Sequence, residues 1–134
     1  MKVFIDTSAF YALLDASDAN HSRSADIWKN LLEQRFQLFT SNYVVIETIA
    51  VLQNRLGLDA VRSFVNEILP PVEISWIIPR DHFGALSLIL SAGRRRLSLV
   101  DAASFETMLR LGIENCFAFD SDFERQGFIA VKEN

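Results

Sequence analysis

One cysteine, Cys116, is the only thiol in 134 residues, so no internal disulfide can form and a reducing cytoplasm is the expected setting. No apolar run approaches the roughly 18 residues of a membrane span, which excludes a transmembrane helix from the expectations. The N-terminus lacks the basic region and cleavage site of a signal peptide, because Asp6 interrupts its short apolar run. Neither a glycine-rich dinucleotide fingerprint nor a P-loop is present. With three prolines and five glycines, no stretch reads as a linker, a repeat or low complexity. One domain spanning 1–134 is therefore expected.

Positive charge is also in short supply. Lysine and arginine total 13 against 17 acids, for a net charge of −4 and a pI near 5.1. That balance argues at first against a polyanionic partner. A protein that holds cations through clustered carboxylates, however, looks acidic until the ions are counted. Apolar material is ample: half of the residues are hydrophobic and 11 are phenylalanine, enough for a packed core. Cys116, within Cys116-Phe117-Ala118-Phe119, reads as a small core residue.

The first ten residues organise the rest. Val3-Phe4-Ile5 reads as a buried strand that stops at Asp6-Thr7-Ser8, a helix N-cap signal, before a helix through Leu14. His21 to Gln34 predicts a helix with Ala25, Trp28, Leu31 and Leu32 as its apolar stripe and Ile27 at the flank. Phe36 to Thr40 alternates like a strand. Ser41 or Asn42 caps the next helix, which Gly57 closes, and a second helix from Asp59 to Leu69 completes a helical hairpin. Pro70-Pro71 breaks it ahead of a strand over Val72 to Trp76. Pro79 and Asp81 open a helix closing at Gly93, and Ser98-Leu99-Val100-Asp101 opens another ending near Gly112. Cys116 to Phe119 is a short strand, Asp122 to Arg125 a short helix, and Phe128 to Val131 an edge strand. Alternating strands and helices imply a parallel sheet with right-handed crossovers, a three-layer α/β/α domain.

In such sheets ligands bind at the carboxyl edge of the strands. Asp6 and Asp120 end predicted strands there, and Asp101 opens a helix beside it. Glu47 shares a helix face with Val44 and Val51, where a carboxylate needs a partner or an outlet to water. Each acid has a local reading as well: Asp6 as an N-cap, Asp101 in a capping box with Ser98, Asp120 and Asp122 in a turn, and Glu47 at a rim. Taken together they would repel one another if left bare, and hard divalent cations remove that conflict. Ions so held can activate water and stabilise the leaving oxygen in phosphodiester hydrolysis, with no protein nucleophile.

The segments Val3-Phe4-Ile5-Asp6-Thr7-Ser8-Ala9-Phe10, Leu97-Ser98-Leu99-Val100-Asp101-Ala102-Ala103-Ser104-Phe105 and Phe117-Ala118-Phe119-Asp120-Ser121-Asp122-Phe123-Glu124-Arg125-Gln126-Gly127-Phe128, with the isolated Glu47, resemble the motifs of PIN-domain nucleases. The likeness is greatest to VapC-type toxins of toxin–antitoxin pairs and runs over nearly the whole chain. It implies a sheet of about five strands in the order 3-2-1-4-5 and a Mg²⁺-dependent endoribonuclease in which Mn²⁺ can substitute. Asp6, Glu47, Asp101 and Asp120 fall on the family's acidic positions, whereas Asp122 falls on one that varies. Thr7 or Ser8 is expected to hydrogen-bond a ligand carboxylate or a metal-bound water. The resemblance further implies an RNA substrate, a small VapB-like antitoxin wrapping the hairpin from about Asn42 to Leu69, and a homodimer. The neighbouring alternatives are a PIN nuclease of RNA processing without an antitoxin, and a non-catalytic PIN-like interaction module. A haloacid-dehalogenase-like phosphatase would need an acid where Ser8 stands, and a receiver domain an acidic pair that Thr7 denies.

Arg94-Arg95-Arg96 is the only dense basic run. It reads either as a solvated helix end, favourably placed against the helix dipole, or as a phosphate contact beside the acidic cleft. His21 and His82 are expected at the surface.

Overall fold

A computed structural model describes residues 1–93 and 97–133; the Arg94–Arg96 run thus lies outside the described residues. Five parallel strands form one sheet: β1 (Lys2–Ile5), β2 (Gln37–Ser41), β3 (Val72–Ser75), β4 (Asn115–Phe117) and β5 (Ile129–Ala130), in the order β3-β2-β1-β4-β5. The expected 3-2-1-4-5 topology is the observed one. β1 is central because its three apolar residues are fully buried, as a strand covered on both faces must be. Phe4 stands opposite Phe39 of β2 on one side and Cys116 of β4 on the other.

The helices are α1 (Thr7–Leu14), α2 (His21–Glu33), α3 (Asn42–Arg55), α4 (Leu58–Ser63), α5 (Pro79–Ala92), α6 (Leu99–Leu111) and α7 (Asp122–Arg125). Their ends follow local chemistry. Ser41 Oγ accepts from the Val44 N–H at 3.2 Å and Ser98 Oγ from the Asp101 N–H at 3.0 Å, so serine N-caps start α3 and α6. Gly93 and Gly112 end α5 and α6 in the left-handed conformation, which costs glycine nothing.

Three expectations need correction. The helix foreseen to run from Asp59 to Leu69 is α-helical only to Ser63; Phe64–Ile68 is a π-helical turn, with the Leu69 N–H donating to the Phe64 carbonyl at 2.9 Å. Phe64 is fully buried there, edge-on to Phe10 at 5.0 Å. The buried stripe of α2 is Ser24, Ile27 and Leu31, while Ala25 and Leu32 face solvent. Both stripes satisfy helical spacing, and docking against α1 selects the one rotated toward Ile27. Finally, neither histidine is a free surface residue: His21 Nδ1 meets the Ala12 carbonyl at 2.7 Å, and His82 Nδ1 meets the Tyr43 hydroxyl at 2.5 Å.

The core is a phenylalanine-rich layer on both sheet faces, with Phe105 edge-on to Phe123 at 4.9 Å. α5 and α6 lie close together, since a Cβ on Gly84 would stand 3.1 Å from the Glu106 Cδ. Their ends are tied by an ion pair between Arg110 Nε and the buried Asp81 at 2.7 Å. Among the described residues no helix is long and apolar enough to cross a membrane.

Candidate active site and metal centre

At the carboxyl edge of the sheet, beside the end of β1, lies an open cleft of about 410 Å³. Asp6, Glu47, Asp101 and Asp120 all line it, with Thr7 and Ser8. They come from four separate places: the β1–α1 junction, the middle of α3, the first turn of α6 and the loop after β4. Parallel topology brings them together, because each strand delivers its following segment to the same edge.

Asp6 is 3 % exposed and is the N-cap of α1. Its Oδ2 accepts from the Ser8 hydroxyl at 2.8 Å and the Ser8 N–H at 3.2 Å, while Oδ1 is buried with no hydrogen-bond partner. Burial pushes its pKa up to about 6, against the Ser8 bonds that pull it down, and Glu47 adds repulsion. Asp101 is pushed further, to about 8, first by burial and then by the charges of Asp6, Asp120 and Glu47. Burial leads that shift, and the three like charges add to it because all four acids lie in one cleft.

The tightest group is Asp101, Asp120 and Asp122, whose ligand oxygens lie within 4.8 Å of one another. Asp120 Oδ1 accepts from the Asp122 N–H at 2.9 Å, and this turn sets both acids beside Asp101. The sequence left their relative direction open; the geometry brings Asp122 in as well. Asp122 is 7 % exposed and also accepts from Arg125 at 3.2 Å.

The two hydroxyls after Asp6 divide their roles. Ser8 Oγ donates to Asp6 and accepts from the Phe119 N–H at 2.9 Å, joining α1 to the loop that carries Asp120. Thr7 faces the other way: its hydroxyl donates to the Val44 carbonyl at 3.5 Å and accepts from Thr48 at 3.2 Å, bracing α1 against α3, which carries Glu47.

These residues fit a hard cation. An orphaned buried carboxylate oxygen, a set made of oxygen donors only, and acids whose pKa values are raised by burial and, after it, by mutual repulsion all describe a site that a divalent ion would neutralise. The arrangement could hold a metal ion, and among the described residues its lining includes no cysteine or histidine.

Comparison with known proteins agrees. A family model for the PIN domain matches residues 3–129. The 23S rRNA-specific endonuclease VapC20 of Mycobacterium tuberculosis is 33 % identical over 131 residues, covering 97 % of this chain and 98 % of that one. The crystal structure of M. tuberculosis VapC20, a sarcin–ricin loop cleaving toxin, aligns with a TM-score of 0.83 at 32 % identity over 97 % of this chain and 98 % of that one. Rickettsia felis VapBC2, bound to promoter DNA, aligns over all of both chains at 0.74 and 12 % identity. FitAcB of Neisseria gonorrhoeae aligns at 0.71 and 14 % over 98 % and 97 %. These last two speak for the fold alone. With an acidic cleft at the expected sheet edge and likeness to VapC20 along nearly the whole length, the chain belongs to the PIN-domain family, in its VapC-type branch.

Proposed function

We propose that this protein is an endoribonuclease that hydrolyses an RNA phosphodiester bond in the acidic cleft, acting as the toxin of a type II toxin–antitoxin pair. The observation that carries the reading is the convergence of Asp6, Glu47, Asp101 and Asp120 on one pocket. A buried group of like charges is costly for the fold, and a catalytic cation gives it a reason to exist.

Asp6, Asp101 and Asp120, with Glu47 and Asp122 beside them, would hold Mg²⁺, or Mn²⁺ in its place. Such a cation would supply positive charge beside the scissile phosphate and favour deprotonation of a water there. The protein's own groups do the positioning: Ser8 orients Asp6, Thr7 holds the helix bearing Glu47, and the Ser98 cap holds Asp101 in the first turn of α6. VapC20's specificity makes the sarcin–ricin loop of 23S rRNA the first substrate to try. A small VapB-like antitoxin covering the α3–α4 hairpin, self-association of the toxin, and a cytoplasmic location complete the proposal.

The test is induced expression of wild type and Asp101→Asn, scored for growth arrest and for Mg²⁺-dependent cleavage of ribosomal RNA in the lysate. Arrest and cleavage by wild type alone are expected. Equal cleavage by both would refute the assignment of Asp101, and no cleavage by wild type would refute the enzyme.

A further inference from the structure

The geometry points to Arg55, at the far end of the cleft, as the residue that grips a substrate phosphate away from the scissile bond. This inference rests on the ribonuclease reading and adds to it the group that holds the RNA. The cleft is lined by Asp6, Asp18, Glu47, Asp101 and Asp120, and among its described lining residues Arg55 is the one cation. It makes no ion pair among the described residues.

Its position follows from helix geometry. Glu47, Val51 and Arg55 all line the cleft, spaced four residues apart along one face of α3. Eight residues of helix put Arg55 about 12 Å along the axis from Glu47. A charge held by the acids is screened over about 8 Å at physiological salt. A phosphate lying at the Arg55 end therefore receives little help from a cation at the acidic centre and needs a partner of its own.

Arg55 is also held in place. Its guanidinium lies over the Tyr11 ring, 5.4 Å from the centroid. Tyr11 in turn donates its hydroxyl to Asp15 at 2.6 Å, and Asp15 is bound by Ser17. The contact with Tyr11 fixes where the guanidinium sits, and its planar fork of donors suits a bidentate phosphate contact. A cation in the last turn of α3 is favourable against the helix dipole wherever it points. The dipole does not account for its placement on Tyr11 in the cleft wall.

Arg23 provides the comparison. It too covers an aromatic ring, Phe119, at 5.4 Å, but it is paired with Glu133 at 3.3 Å and bonded to Asn20. Substituting either arginine removes one positive charge, but of the two only Arg55 lines the cleft, with no ion pair among the described residues.

The experiment measures binding of a fluorescein-labelled sarcin–ricin-loop RNA hairpin to full-length protein carrying Asp101→Asn, with Mg²⁺, over a series of salt concentrations. Arg55→Ala, Arg55→Lys and Arg23→Ala are compared in that background, with thermal unfolding confirming that each is folded. Cleavage kinetics are run in the wild-type background. Arg55→Ala is expected to weaken binding about tenfold and to reduce the slope of log affinity against log salt by about 0.7 to 1. It should raise KM far more than it lowers kcat, while Arg55→Lys keeps the slope and loses part of the affinity. Arg23→Ala should change little. An unchanged slope and KM in Arg55→Ala, or an equal loss in Arg23→Ala, overturns the inference while leaving the ribonuclease reading intact. If the wild type neither binds nor cleaves the hairpin or ribosomal RNA, both fall together.

Discussion

Ser8 holds Asp6 by one carboxylate oxygen and leaves the other without a partner. Both Ser8 donors, hydroxyl and backbone N–H, bond to Asp6 Oδ2, and Oδ1 is buried without a partner. That asymmetry leaves Oδ1 as the Asp6 oxygen available to a ligand.

Removing the Ser8 hydroxyl should therefore loosen the metal site without destroying it. Partners that orient a ligand are worth about 10- to 100-fold in metal affinity. Ser8→Ala is expected to weaken Mg²⁺ binding by about that factor, read by calorimetric titration, with cleavage recovered at high Mg²⁺. An unchanged affinity would show that Ser8 is only a cap.

The acids also make metal-free stability depend on pH, with a sign opposite to that of a salt-bridged carboxylate. Asp101 is raised from 3.8 to about 8, and Asp6 to about 6, in the folded protein. Between those limits the folded state keeps protons that the unfolded chain has lost, so stability falls as pH rises from about 4 to 8. Thermal unfolding in a chelator should show Tm declining over that range, and added Mg²⁺ should restore most at pH 8. Asp101→Asn should flatten the decline and raise Tm at pH 8 while abolishing cleavage. A chelated protein with Tm constant from pH 5 to 8.5 would contradict the electrostatics.

Asp120 and Asp122 can be separated by their surroundings. Asp120 lines the cleft, whereas Asp122, within reach of the same ion at the rim of the site, has part of its charge met by Arg125. Asp120→Asn should lower kcat by at least about 100-fold, as loss of a charged group that stabilises a transition state does. Asp122→Asn should cost less activity and more stability. The reverse order, measured as kcat and Tm for both variants, would exchange their roles.

Far from the chemistry, Arg110 neutralises Asp81, which is 3 % exposed between α5 and α6. Arg110→Ala strands that carboxylate and should cost about 2 to 4 kcal/mol, less than a fully buried pair because Arg110 is partly in water. Denaturant unfolding measures this, and kcat of the folded fraction should not change. A loss under 0.5 kcal/mol would mean that solvent already serves Asp81.

The sequence alone determined what local physics decides. Val3-Phe4-Ile5 read as a buried strand, and Ser98, Gly93 and Gly112 marked helix ends, with the α3 cap narrowed to Ser41 or Asn42, because caps and left-handed turns are settled within four residues of chain. The ends of β1 and β4 placed Asp6 and Asp120 at one edge of a parallel sheet. Docking decided the rest. The stripe of α2 turned toward Ile27, since two rotations fit the same periodicity and only contact with α1 distinguishes them. His82 found Tyr43 across 39 residues, and Arg55 found Tyr11 across 44. Ser8, not Thr7, took the Asp6 carboxylate because α3 claimed the threonine. Such choices depend on how helices cross, and no window of sequence contains both partners.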